Sequence, residues 1–126
     1  MLFRTIALFC FIAISVFSHA QVGHPAKGSW SGTLNSDAAE PSRIRLLIHA
    51  HNGSLSGVIN PGRHSVDIKT IELDAAKWQM SIVADMPEGK LSMQGTLSNL
   101  GSWHNRKYQG TYTLGKTTGN FDITLN

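Results

Sequence analysis

Histidines are the residues whose spacing best suits metal chemistry. His49 and His51 are two residues apart, so on an extended strand their side chains share one face, as metal ligands in a β-sheet do. A zinc ion would also need a third or fourth ligand, and His64 and His104 are the candidates. The strand pairing predicted below places His49 and His51 on an outer face. We therefore interpret them as surface residues, keep a metal site as the alternative, and expect no cofactor.

Catalytic residue types are present without a catalytic arrangement. Serine, histidine and aspartate are frequent, but no Gly-x-Ser-x-Gly elbow presents a serine. The acidic residues are scattered singly, with no pair spaced for glycoside hydrolysis on one strand face. The single cysteine, Cys10, lies in the N-terminal apolar run, so the rest of the chain has no thiol nucleophile, thiolate ligand or disulfide. The sequence predicts a protein that is not an enzyme.

The charge balance argues against a nucleic-acid partner. The net charge of the whole chain is +3, and residues 21–126 contain ten basic against eight acidic side chains. Basic residues occur singly or in pairs, such as Arg43 with Arg45, and aromatic residues do not interleave them as single-strand binding favours.

The N-terminus has the order of a secretory signal peptide. A lone charge at Arg4 precedes an apolar run from Ile6 to Phe17, which is too short to span a bilayer, and Ser18-His19-Ala20 supplies small residues at a cleavage site. Phe9 before Cys10 argues against lipidation, and an uncleaved anchor is the alternative. We expect a periplasmic or secreted protein without a stable membrane span.

The predicted organisation follows from that cleavage site. Residues 1–20 form the signal peptide, residues 21–27 a short linker, and residues 28–126 one domain, which is long enough for a single core.

Alternation of apolar and polar residues in short runs predicts β-strands from Gly28 onward. The clearest hairpin turns at Asn52-Gly53, the pair that a type I′ turn favours. Folding the chain there places Ala50 opposite Leu55, and Leu47 opposite Val58 on the outer face.

Further strands are predicted by the same alternation. Val66 and Ile68 are out of phase with Ile71 and Leu73, which predicts a bulge near Lys69-Thr70. Residues 36–40 are expected to form a loop, and Trp78 to begin a strand with Met80 and Ile82. The total is eight strands with short links, enough to close an antiparallel up-and-down barrel.

A repeated pattern, apolar-x-Gly-x-apolar, recurs in four of these strands. Its glycines are expected to point inward, where they leave room for a bulky side chain and let a strand bend. The alternative is that glycine is simply frequent in exported β-proteins. The four copies occupy residues 30–34, 55–59, 93–97 and 108–112.

These motifs resemble a lipocalin-like β-barrel domain of bacterial exported proteins. The resemblance rests on Gly28-x-Trp30-x-Gly32-x-Leu34, on residues 45–48 with 53–57, and on Gln94-Gly95-Thr96-Leu97 with Gln109-Gly110-Thr111-Tyr112. It covers most of residues 28–125 and implies an eight-stranded barrel of the calycin type. In that group the domain often accompanies a hydrolase domain, which does not follow here, and the resemblance implies no catalytic residues.

Aromatic residues are the candidates for ligand contact. Trp30, Tyr108 and Tyr112 fall on inward faces. They form either plain core or the lining of a cavity, because the interior of an eight-stranded barrel is either filled by side chains or wide enough for one small ligand. The short strands favour a filled barrel. Trp103 falls in the connection of residues 98–105, and loop aromatics often contact partners.

Two functions follow from these patterns. In the first, an exported binding module holds a small apolar ligand in the barrel mouth through Trp30, Trp103, Tyr108 and Tyr112. In the second, a filled barrel binds another exported protein, as an inhibitor or accessory subunit, through its loops and its outer apolar pair Leu47 and Val58.

Overall fold

The computed structural model describes residues 24–37, 39–101 and 105–126, and in this part of the chain the secondary structure is β-strand. Each strand pairs antiparallel with the next, and the last returns to the first, so the sheet closes into an up-and-down barrel. The predicted all-β, eight-stranded antiparallel barrel is confirmed. The strands are β1 (Gly28–Ser36), β2 (Ala39–His51), β3 (Ser54–Ile59), β4 (Val66–Asp74), β5 (Gln79–Met86), β6 (Gly89–Ser98), β7 (Lys107–Leu114) and β8 (Thr117–Leu125).

The predicted signal peptide, residues 1–20, lies outside the described residues, as do Trp103 and His104. Among the described residues, no helix is long and apolar enough to cross a membrane.

The β2–β3 hairpin forms in the predicted register. Asn52 and Gly53 have φ angles of 51° and 82°, as a type I′ turn requires at both central positions. Ala50 pairs with Leu55, and Leu47 with Val58. The turn and the apolar alternation specify the same register, because a shift by one residue would expose the inward side chains.

The predicted bulge in β4 is also present. The register of β4 against β5 shifts between Ile68, which pairs with Ala84, and Thr70, which pairs with Val83. The extra residue is Lys69. The bulge reverses the phase of the strand, so that Ile68 and Ile71, three residues apart, both join the interior packing.

The barrel closes between its first and last strands. β1 and β8 pair from Trp30 with Leu125 to Asn35 with Asn120. This pairing closes the sheet, so the first and last strands are not left with an open edge between them.

An aromatic cluster lies at the centre of the core. The rings of Trp30 and Tyr108 meet edge to face at 6.5 Å, and the rings of Tyr108 and Phe121 lie 4.6 Å apart. A methyl group placed on Gly95 would come within 2.7 Å of the Phe121 ring, so this glycine faces inward and leaves space that the ring uses. This is the role that the repeated glycine pattern predicts.

Two local expectations need correction. The loop expected at residues 36–40 is shorter than predicted: β1 extends to Ser36, which pairs with Ala39 at the start of β2, after a register irregularity that follows Leu34. Trp78 does not begin β5 but ends the preceding turn with a φ of 52°, rare for a bulky residue. Its carbonyl accepts a hydrogen bond from the Leu97 amide at 2.8 Å, and its ring packs against the core.

Candidate functional site

Residues 24–27 cover one end of the barrel. Ala26 is fully buried, and its carbonyl accepts a 2.8 Å hydrogen bond from the Trp30 indole. The Arg106 guanidinium donates to the carbonyl oxygens of Pro25 and Leu100, each at 2.7 Å. Arg106 is 4% exposed, and its burial lowers the pKa of the guanidinium below its usual value. It therefore fastens the covering segment to the β6–β7 connection.

Arg106 had no predicted role. In the sequence Arg106 stands next to Lys107, and two adjacent basic residues suggest a solvent-exposed position. The backbone carbonyls that Arg106 binds cannot be recognised from a pattern of side chains.

Of the predicted ligand-contact residues, three lie in the core. Trp30 and Tyr108 are fully buried, and Tyr112 is 6% exposed. The Tyr108 hydroxyl donates a 2.7 Å hydrogen bond to the Met80 carbonyl, and burial raises the pKa of that hydroxyl. Tyr112 also borders a depression of the surface lined by polar residues of β1, β7 and β8. Their role as ligand contacts stays a prediction, and so does that of Trp103.

Apolar side chains also occupy the opposite end of the barrel. Leu34 is 7% exposed, Phe121 2% and Leu91 0%, and all three belong to the packed core. The residues that point inward at this end therefore pack against one another.

The contact between β3 and β4 is the weakest junction in the described barrel. Two residue pairs join these strands, Val58 with Asp67 and Ile59 with Val66. By comparison, β6 and β7 pair over eight residues. Beyond Val58 no further ladder pairs join the two strands, and we call this unpaired stretch, Ser54–Gly57 against Ile68–Asp74, the seam.

The bulge provides a physical reason for the seam. A bulge bends its strand and increases its twist. In β4 the bulge falls immediately after Ile68, next to the last pair that β4 makes with β3. The bulge therefore accounts for the end of the ladder between β3 and β4 at this point.

A cleft of about 410 Å³ opens at the seam, and we call it the seam cleft. Its apolar lining comes from Leu55 on β3 and from Ile71 and Leu73 on β4, all three half-buried. The volume falls within the range of small-molecule sites, and polar groups supply the larger part of the accessible lining around these three side chains. The remaining lining residues are His24, Gly53, Ser54 and Ala75.

His24 links the seam cleft to the covering segment. Its Nδ1 accepts a 3.1 Å hydrogen bond from the Ala26 amide, and burial lowers the pKa of the imidazole below its usual 6.5. The accepting nitrogen must be unprotonated, and the lowered pKa favours that form.

A second concavity, of about 470 Å³, lies on the outer face across β4 to β7. Amide and hydroxyl side chains line most of it, and the carboxylates of Glu72 and Asp74 stand at its β4 side. This polar groove is adjacent to the seam, because the same strand, β4, supplies Ile71 and Leu73 to the seam cleft and Glu72 and Asp74 to the groove.

The histidines predicted as surface residues lie on the outside of the hairpin. His49 pairs with Ser56 and His51 with Ser54, and both histidines are exposed. The Asn52 amide group lies 3.3 Å from Nε2 of His51. Within the described residues, no group of three histidine, aspartate, glutamate or cysteine side chains is placed to hold a metal ion.

The chain was compared with known protein families, with curated proteins and with solved structures. None of the three comparisons gives a match.

Proposed function

We propose that the protein is an exported, non-enzymatic binding module that holds an apolar group of its ligand in the seam cleft. One observation carries the proposal: the ladder between β3 and β4 ends after two residue pairs, and the half-buried side chains of Leu55, Ile71 and Leu73 line a cleft there. Apolar side chains that a sheet leaves partly exposed around a concave site gain free energy when a ligand covers them.

The sequence supports the other parts of the proposal. The order of residues in 1–20 is that of a signal peptide, and the glycine and apolar motifs resemble a lipocalin-like domain of bacterial exported proteins. We move the ligand from the barrel mouth to the seam because Trp30, Tyr108 and Tyr112 pack in the core, whereas the seam side chains are accessible.

The test is a titration of the exported protein with an environment-sensitive apolar fluorophore. Ile71→Thr keeps a β-branched side chain but makes the cleft polar, and Leu73→Thr does the same two residues away. Leu47→Thr is the matched control, since Leu47 is equally half-buried but lies on the outer face of β2. We expect saturable binding that the two cleft variants weaken at least tenfold and the control leaves unchanged.

Two results would overturn the proposal. One is the absence of saturable binding to the wild-type protein. The other is binding that Ile71→Thr and Leu73→Thr leave intact while Tyr112→Ala abolishes it, which would return the ligand to the barrel mouth. Circular dichroism of each variant establishes that it is folded before its affinity is compared.

A further inference from the structure

We propose that the occupant of the seam cleft is an extended polypeptide segment that adds to the open edge of β4 and alternates apolar with basic residues. This inference rests on the proposed function, since it names the ligand of the same cleft. Three features that lie side by side carry it: a strand edge without a partner, apolar side chains facing inward, and two carboxylates facing outward.

The first feature is the backbone of β4. From Ile68 to Asp74 the strand pairs with β5 on one side, while on its other side the described ladder with β3 has ended at Asp67. Seven extended residues span about 23 Å. A strand edge of this length presents amide and carbonyl groups that another extended chain can pair with, the mode of recognition called strand addition.

This edge distinguishes a peptide from a small apolar molecule. Both cover Leu55, Ile71 and Leu73, but a small apolar molecule also removes water from neighbouring backbone groups without replacing the lost hydrogen bonds, which is unfavourable. A peptide strand buries the same side chains and pairs with the same backbone groups.

The second feature sets the inward residues of the peptide. Ile71 and Leu73 are two residues apart, so their side chains share the inner face of β4. Leu55 lies on the other wall of the cleft. In an added strand, the side chains at every second position point into the cleft. These inward positions require apolar residues, which fill the cleft.

The third feature sets the outward residues. Glu72 and Asp74 alternate with the inward residues of β4 and are exposed on the outer face. Within the described residues, neither carboxylate has an ion pair; Lys69, on the same strand, lies 3.7 Å from Asp85 instead. Opposite charges facing each other on adjacent strands stabilise the pairing, so the added strand should carry lysine or arginine there.

The experiment uses three blocked nine-residue peptides and the ¹⁵N-labelled exported protein. The first peptide alternates valine and lysine, the second alternates valine and glutamate, and the third is the first with alternate amides N-methylated. Methylation removes donors from one edge of the peptide and leaves its side chains unchanged. The readouts are affinity and amide hydrogen exchange in β4.

We expect the valine–lysine peptide to bind and to slow exchange at the open-edge amides of Ile68–Asp74. The valine–glutamate and N-methylated peptides should bind at least tenfold more weakly. The double variant Glu72→Gln with Asp74→Asn should remove most of the difference between the two charged peptides. Asp74→Asn retains the side-chain oxygen that accepts a hydrogen bond from the Ala76 amide, so the turn is kept.

Failure of this inference differs from failure of the proposed function. A fluorophore that binds the seam cleft while no peptide slows exchange in β4 would overturn the peptide and leave the apolar site. If neither the fluorophore nor any peptide binds, the proposed function and the peptide ligand are both wrong. Slow exchange of the β4 edge without peptide, together with a doubled mass in solution, would make a second copy of this chain the occupant and refute the peptide.

Discussion

Leu55 and Ile71 lie on neighbouring strands of one closed barrel but on opposite walls of a cleft. If the pairing of Val58 with Asp67 continued across the bulge, these two residues would face each other inside the barrel. Because the ladder stops first, their side chains stay half-buried. The accessible apolar surface of the seam cleft is therefore a consequence of strand geometry.

Amide exchange should alternate along β4 in the free protein. Amides that point toward β5 take part in the sheet, whereas those that point toward β3 beyond Asp67 have no ladder partner. We expect protected and unprotected amides at successive positions from Thr70 to Asp74, with the unprotected ones exchanging at opening free energies near zero. Exchange measured by NMR checks this, with β6 as the reference because both of its edges are paired. Uniform protection along β4 would contradict an open edge.

Deletion of Lys69 should close the seam. Without the bulge residue, Ile68 and Ile71 become two positions apart, so β4 alternates regularly and can continue its ladder with β3. We expect the unprotected amides of β4 to become protected and fluorophore binding to fall. Lys69→Ala is the control: it removes the exposed ion pair with Asp85 but keeps the residue count, and such pairs contribute little. Equal effects of the deletion and the substitution would show that the bulge does not set the seam.

Replacement of Arg106 should destabilise the fold through the covering segment. Arg106→Ala removes two part-buried hydrogen bonds from a charged donor to backbone carbonyls, and we expect the free energy of unfolding to fall by about 3 kcal/mol. Arg106→Lys can keep one of the two bonds and should lose about half as much. Chemical denaturation measures both. Lys107→Ala, next in sequence but in an exposed pair with Asp122, should change stability by less than about 1 kcal/mol. A similar cost at both positions would contradict a specific role for Arg106.

Tyr108→Phe should reveal a buried hydroxyl through the pH dependence of stability. Loss of the bond to the Met80 carbonyl should cost about 1 kcal/mol near neutral pH. The pKa of Tyr108 is raised in the folded state above its usual 10.0, so above that pH the unfolded chain loses its proton first and wild-type stability falls. The advantage of the wild type should therefore shrink as pH rises beyond 10. Denaturation midpoints of both proteins from pH 7 to 11 provide the comparison, and a constant difference would contradict the raised pKa.

The sequence predicts the architecture better than the site, for a physical reason. Alternation, the Asn52-Gly53 turn and the β4 bulge are local signals, and each specifies which face a residue occupies. The seam depends on where the antiparallel ladder between β3 and β4 ends beside the bulge, which is a property of two strands and of their twist. The phase of Ile68 and Ile71 predicts the bulge, but it does not predict that the ladder between β4 and its neighbour β3 ends there.

The aromatic residues show the same limit. Alternation correctly places Trp30 and Tyr108 inside, but it does not distinguish a ring that lines a cavity from one that packs against another ring. The Tyr108–Phe121 contact depends on the space at Gly95, across two strands.

The pairing of β1 with β8 also sets an order of events during synthesis. β1 contains the first residues of the barrel, and one of its two neighbours is the last strand, so Trp30 can meet Leu125 only after β8 has been made. Contacts between residues so distant in sequence form slowly. Because synthesis runs from the N-terminus, the barrel can close only after β8 has left the ribosome, so its closure comes late in folding.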